Sequence, residues 1–181
     1  MLNILIVEDE PLLADTLKRL VELNPLFAVT AIADDLPSAM EALEIQKPDL
    51  ALVDLQLANM TSGYSVAAKL HDRGVACLFT TGRAPGFPLP DLALGCLRKP
   101  FQEEDLVRAL TEAEDIIRGR QKVTLRQRLP ETLQLYSDDR QPVDESQRGW
   151  LPTVSRRRSL RARLWRLLRR PSAFRSAARA G

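Results

Sequence analysis

A doubly wound α/β fold, a five-stranded parallel sheet with helices on both faces, follows from three features of the sequence. Over residues 1–119 short apolar runs alternate with amphipathic stretches, the order expected of strands joined by covering helices. The runs at residues 2–7 and 50–53 are nearly continuous in Leu, Ile and Val, which suits strands buried on both faces. Most runs stop at a polar, chemically active residue, which suits strands whose carboxyl ends face a ligand.

The elements follow in order. Residues 2–7 are the first strand, broken only by Asn3 and followed by Glu8, Asp9 and Glu10. Pro11 sits well in the first turn of a helix, where no N–H is needed. Leu12, Leu13, Leu17, Leu20 and Val21 then recur at helical spacing until Asn24-Pro25 stops the helix. Residues 27–33 form the second strand. A second helix covers 37–46, with Ala39, Met40 and Leu43 on one face, and Pro48-Asp49 turns the chain into the third strand at 50–53, ended by Asp54. After a loop through Met60, Thr61, Ser62 and Gly63, a helix runs over 64–72 and closes at Gly74. The fourth strand is 75–80, the fifth 94–97, and the last helix 103–118, with Leu106, Val107, Leu110, Ala113 and Ile117 on its apolar face. One unit is missing. Between the fourth and fifth strands Pro85, Pro88, Pro90, Gly82 and Gly86 fall within ten residues, which predicts a loop with at most one turn near 90–94.

Composition narrows the function. The chain has 181 residues, 45% of them hydrophobic, enough for a core. No apolar run approaches the ~20 residues of a membrane span, and the first residues lack a basic region and a cleavage site, so a cytoplasmic protein is expected. Cys77 and Cys96 make neither a disulfide framework nor a four-thiolate zinc site, and read as buried thiols. A single histidine, His71, argues against histidine-rich metal sites and a Ser-His-Asp triad. The net charge of +2 hides a division: residues 1–119 carry 10 basic and 19 acidic side chains, residues 120–181 carry 16 and 5. An acidic domain is therefore followed by a basic arm.

At the carboxyl ends of the expected strands, Glu8, Asp9, Asp54, Thr81 and Lys99 converge on one small pocket. Packed carboxylates need a cation, and oxygen donors without His or thiolate favour Mg²⁺, which readily accepts a phosphate oxygen. A carboxylate beside Mg²⁺ and a lysine can attack phosphorus and form an aspartyl-phosphate. Thr81, at the strand end and before the small Gly82, suits a hydroxyl that bonds the new phosphoryl group better than Thr80 does.

Ile4-Leu5-Ile6-Val7-Glu8-Asp9-Glu10, Leu52-Val53-Asp54-Leu55, Thr81-Gly82 and Arg98-Lys99-Pro100-Phe101 together resemble the receiver domain of bacterial two-component response regulators over residues 1–119. The resemblance implies a flavodoxin-like, CheY-like sheet of strand order 2-1-3-4-5. It implies Mg²⁺ held by Glu8, Asp9, Asp54 and the Gln56 backbone carbonyl, Asp54 as phosphoacceptor, Thr81 as switch hydroxyl, Lys99 as phosphate-binding lysine, and a cis Lys99–Pro100 bond. The implied partner is a histidine kinase or histidine phosphotransferase, with an unidentified protein downstream. Two departures stand out. Receivers usually carry Tyr or Phe three residues before the lysine, where this chain has Cys96, and the fourth helix is replaced by the Pro/Gly loop. Cys77-Leu78-Phe79-Thr80-Thr81-Gly82 is similar to the signature of the FATGUY subgroup, matching at Phe79, Thr81 and Gly82, with Arg83 where Tyr is expected.

Residues 120–150 read as a linker and 151–181 as an Arg-rich tail with an amphipathic helix at 155–170. Leu160, Leu164, Trp165, Leu167 and Leu168 lie near one face of that helix among eight arginines, which suits an anionic membrane surface, a partner groove or RNA. The helix is too short for a helix-turn-helix output domain, so sequence-specific DNA binding is not expected. The function expected is a phosphoacceptor that signals by protein–protein contact and is not itself an enzyme. A Mg-dependent aspartyl-phosphate phosphatase and a pseudo-receiver binding module are the alternatives. The phosphatase class usually places a second acid two residues after the nucleophile, where this chain has Gln56.

Overall fold

The computed structural model describes residues 1–58, 62–120 and 129–136. They belong to the compact unit Met1–Arg140, and the second unit, Gln141–Gly181, lies outside the described residues. The tail at 151–181, its helix at 155–170 and most of the linker at 120–150 therefore fall outside them as well.

The elements are β1 (Leu2–Val7), α1 (Pro11–Glu22), β2 (Phe27–Ala33), α2 (Leu36–Ile45), β3 (Leu50–Asp54), α3 (Gly63–Asp72), β4 (Ala76–Thr81), β5 (Gly95–Arg98), α4 (Glu103–Ile117) and β6 (Leu133–Leu135). The sheet order is β2-β1-β3-β4-β5-β6, with the first five strands parallel. The expected order 2-1-3-4-5 is thus present and extended by one strand. Side chains alternate across the pleat. Leu5 and Val7 of β1 join Ala51, Val53, Cys77 and Phe79 under Val66, Ala67 and Leu70 of α3. Ile4 and Ile6 join Leu50, Leu52, Leu78 and Leu97 under Leu17 and Val21 of α1 and Leu106 and Leu110 of α4. Two dry layers on one sheet hold the strand ends rigidly, and the site is built on those ends.

Local chemistry fixes the helices. Pro11 begins α1 as expected. Asp35 caps α2, its side chain accepting from the Ser38 amide at 2.8 Å while the Ser38 hydroxyl accepts from the Asp35 amide at 3.1 Å. Three acids in the first turn of α4 complement its dipole. Gly74, at φ +72°, takes the left-handed turn that ends α3, a conformation costly for a residue with a Cβ.

The stretch between β4 and β5 holds no helix. One turn forms there, with the Leu92 and Ala93 amides donating to the Leu89 carbonyl at 3.0 and 3.1 Å. Ala84, Leu89, Leu92 and Ala93 pack against the apolar layer that a helix would otherwise cover, while Phe87 stays exposed.

The structure differs from the sequence reading at β6. Residues expected as linker add an antiparallel strand to the β5 edge, pairing Gly95 with Leu135, Cys96 with Gln134 and Leu97 with Leu133. Its apolar residues are Leu133 and Leu135, flanked by Leu129 and Tyr136, and three residues are too few for periodicity to register. The strand forms because a parallel sheet leaves β5 with unpaired backbone groups, and a nearby segment able to satisfy them gains by doing so.

Candidate functional site

Glu8 follows β1, its amide held by the Ala33 carbonyl of β2 at 2.9 Å. Asp54 is the last residue of β3. Lys99 follows β5, and its amide donates to the Thr81 carbonyl at the end of β4 at 2.8 Å. Backbone pairing thus brings three sequence-distant groups to one edge, and their side chains meet. Lys99 Nζ lies 2.8 Å from Glu8 Oε2 and 2.7 Å from Asp54 Oδ2. Glu8 is 4% exposed and Asp54 6% exposed, so this is a nearly dry triad. The Lys99–Pro100 peptide is cis, as expected.

The triad faces a cleft of about 350 Å³, lined also by Asp9, Glu10, Gln56 and Gly82. Asp54 Oδ1 accepts from the Gln56 amide at 2.9 Å, which fixes the carboxylate plane. Asp9 Oδ2 accepts from the Ala58 amide at 3.0 Å and is half-buried. Thr81 is fully buried beside this edge. Its hydroxyl faces the backbone of Arg83, accepting from the amide at 3.3 Å and donating to the carbonyl at 3.2 Å. Of the residues singled out in the sequence, Glu8, Asp54 and Lys99 are in direct contact. Asp9 and Gln56 share their cleft, and Thr81 is adjacent but turned to the following loop.

Burial and charge oppose one another at the triad. Burial raises the Glu8 pKa above its ordinary value and outweighs the lowering effect of Lys99. At Lys99 burial acts to lower the pKa, but the hydrogen bonds and charges of Asp54 and Glu8 outweigh it and leave it raised. Lys99 therefore stays a cation across the physiological range. Because the folded Glu8 pKa is raised, its contribution to stability is full below 4.5 and is lost as pH rises through the folded value. Glu8→Gln should accordingly raise the melting temperature of the metal-free protein at pH 7. That gain should fade as pH falls through 4.5 and glutamate becomes neutral in both states, and a gain independent of pH in a melting series would contradict the account.

The donor set suits a hard cation: Glu8, Asp9, Asp54 and the Gln56 carbonyl offer oxygen alone. Among the described residues no three of His, Cys, Asp or Glu are gathered in metal-holding geometry. Lys99 already sits against Glu8 and Asp54, and Asp9 is engaged with Ala58, so each of the three acids already has a partner.

Two contributors escaped the sequence reading. The Ala58 amide holds Asp9, and a backbone donor has no sequence signal. Gly63, which begins α3, packs against the backbone of Asp54 and Leu55 at the end of β3. A Cβ there would collide with the Asp54 carbonyl oxygen and lie 2.7 Å from the Leu55 Cα. Gly63→Ala should therefore lower stability by about 2 kcal/mol, as overpacking does, and displace Asp54; urea denaturation with no loss would refute the close approach. The cysteines hold no such role. Both are buried and free, and burial pushes the Cys77 thiol up to about 12.

The sequence matches the response regulator receiver domain family over residues 4–111. It is 33% identical over 116 residues to the sensory transduction protein LytT of Enterococcus faecalis, covering 62% of this chain and 48% of that one. It is 36% identical over 118 residues to the positive alginate biosynthesis regulatory protein of Pseudomonas aeruginosa, covering 62% and 47%. The chain thus spans about half the length of these relatives. Among solved structures, the PhyR receiver domain of Erythrobacter litoralis is similar at a TM-score of 0.55 and 30% identity, over 62% of this chain and 89% of that one. A CheY-like receiver domain protein of Methanospirillum hungatei is similar at 0.59 and 25%, over 67% and 99%.

Proposed function

This chain belongs to the response regulator receiver family, and we propose that it is a phosphoacceptor whose Asp54 takes a phosphoryl group from a histidine kinase or histidine phosphotransferase. What supports the reading is the triad itself: Lys99 bridges Glu8 and Asp54 at the carboxyl ends of three strands, where a ligand meets the sheet. An Asp54 carboxylate oxygen attacks phosphorus, the phosphorus–nitrogen bond of the donor breaks, and its electron pair leaves with the nitrogen. The Gln56 amide keeps Asp54 oriented for that approach. Lys99 turns its charge to the arriving phosphoryl oxygens. The Thr81 hydroxyl exchanges the Arg83 carbonyl for one of those oxygens.

Glu8, Asp9, Asp54 and the Gln56 carbonyl would hold Mg²⁺. When bound, the ion offsets negative charge on phosphate oxygens. Output runs through contact with a downstream protein. Among the described residues no helix is long and apolar enough to cross a membrane. The FATGUY-type assignment rests on Phe79, Thr81 and Gly82.

Incubation with acetyl phosphate and Mg²⁺, followed by intact mass, tests the reading. A phosphoacceptor gains one acid-labile phosphoryl group. Steady phosphate release would point to a Mg-dependent aspartyl-phosphate phosphatase, and the absence of both to a pseudo-receiver binding module. With labelling, amide exchange in residues 83–94 should slow, because Thr81 connects the site to a loop with a single turn of its own. Unchanged exchange there would mean that the signal leaves by another route.

A further inference from the structure

β6 holds itself to the sheet at a disadvantage. Among the described residues two buried side-chain polar atoms lack a hydrogen-bond partner, the hydroxyls of Thr132 and Tyr136, and both flank this strand. Tyr136 is only 8% exposed, and the one group facing its hydroxyl is the Cys96 thiol, a weak hydrogen-bonding group. A hydroxyl that loses water and gains no partner opposes docking. In favour of docking are a short ladder and three apolar groups. The Arg98 amide donates to the Thr132 carbonyl and the Tyr136 amide to the Leu94 carbonyl, each at 2.8 Å. Leu133 and Leu135 join the layer under α1 and α4, and the Tyr136 ring enters the opposite layer.

The β5 sequence is fitted to this strand. A Cβ on Gly95 would collide with the Gln134 carbonyl oxygen and lie 3.0 Å from the Leu135 Cα. The contact also reaches the site. The Arg98 amide is tied to Thr132, the next amide, of Lys99, is tied to Thr81, and the Lys99 side chain is tied to Glu8 and Asp54.

We propose that residues 129–136 are a releasable strap on the β5 edge, coupled to the site through the Arg98–Lys99 backbone. Release returns two hydroxyls to water and bares the backbone edge of β5, while docking holds the strand that delivers Lys99. The coupling rests on the phosphoacceptor reading: a phosphoryl group on Asp54 takes the Lys99 ammonium from Glu8 and the Asp54 carboxylate, the Arg98–Lys99 backbone follows it away from Thr132, and release is favoured.

Hydrogen exchange read by mass spectrometry on the full chain tests both parts. Tyr136→Phe removes one orphan hydroxyl and should slow exchange in residues 132–136 by about tenfold, since a lost unsatisfied group is worth that much. Gly95→Ala should speed exchange in the same residues by at least about tenfold through the collision at Gln134, leaving β1 and β3 unchanged. Exchange that is unchanged or faster in Tyr136→Phe, or unchanged in Gly95→Ala, overturns the strap. Beryllofluoride with Mg²⁺ should speed exchange in 132–136 and at Arg98. If acetyl phosphate labels Asp54 but beryllofluoride leaves that exchange unaltered, the coupling is overturned and the phosphoacceptor reading stands. If Asp54 does not label, that reading and the coupling fall together, and the two variants alone decide the strap.

Discussion

Asp54→Asn should abolish labelling by acetyl phosphate while leaving the protein folded. The substituted amide keeps an oxygen for the Gln56 amide, and Lys99 keeps Glu8 as its ion-pair partner, so the local geometry survives. What is lost is the anionic oxygen that, on the proposed function, attacks phosphorus. Asn also removes one of two carboxylates competing for a single lysine in a nearly dry edge, so unfolding should require as much denaturant as before or more. Intact mass of the treated variant provides the measurement. Full labelling would move the acceptor to another residue, and Asp9, which lines the same cleft, would be next to test.

Lys99→Ala should destabilise the metal-free protein at pH 7 by about 2 kcal/mol, and Mg²⁺ should restore more stability to the variant than it adds to wild type. Removing the ammonium leaves Glu8 and Asp54 buried without their cation. Breaking a fully buried pair costs about 3–5 kcal/mol, and the figure is reduced here because the Lys99 side chain is 19% exposed. A divalent cation can then replace the missing charge without competing with Lys99, so Mg²⁺ affinity should rise rather than fall. Asp9→Ala should do the reverse, weakening Mg²⁺ with little effect on metal-free stability. Urea titrations with and without Mg²⁺ separate the two. Equal loss of Mg²⁺ affinity in both variants would contradict the division between a charge-balancing lysine and a metal-binding acid.

The sequence by itself determined the five parallel strands, the helices between them and the helix missing before β5. Each of these is written locally. Apolar runs mark buried strands, three prolines forbid a helix, and Asp35, Pro11 and Gly74 set helix ends through contacts within a few residues. The convergence of Glu8, Asp54 and Lys99 was also legible, because a parallel sheet places all carboxyl ends on one edge whatever the loops do. Tertiary structure alone decided the rest. Which acids Lys99 touches depends on side chains competing for one ammonium, and it chose Glu8 and Asp54 while the Ala58 amide took Asp9. The Thr81 hydroxyl went to the backbone of Arg83, two residues on, where the loop presents both an amide and a carbonyl to it. Gly63 and Gly95 gained their importance from backbones that approach from elsewhere in the chain. β6 formed from a stretch with little pattern of its own, since its partner is the open edge of a strand some 38 residues earlier, and a hydrogen-bonding edge leaves no trace in local periodicity.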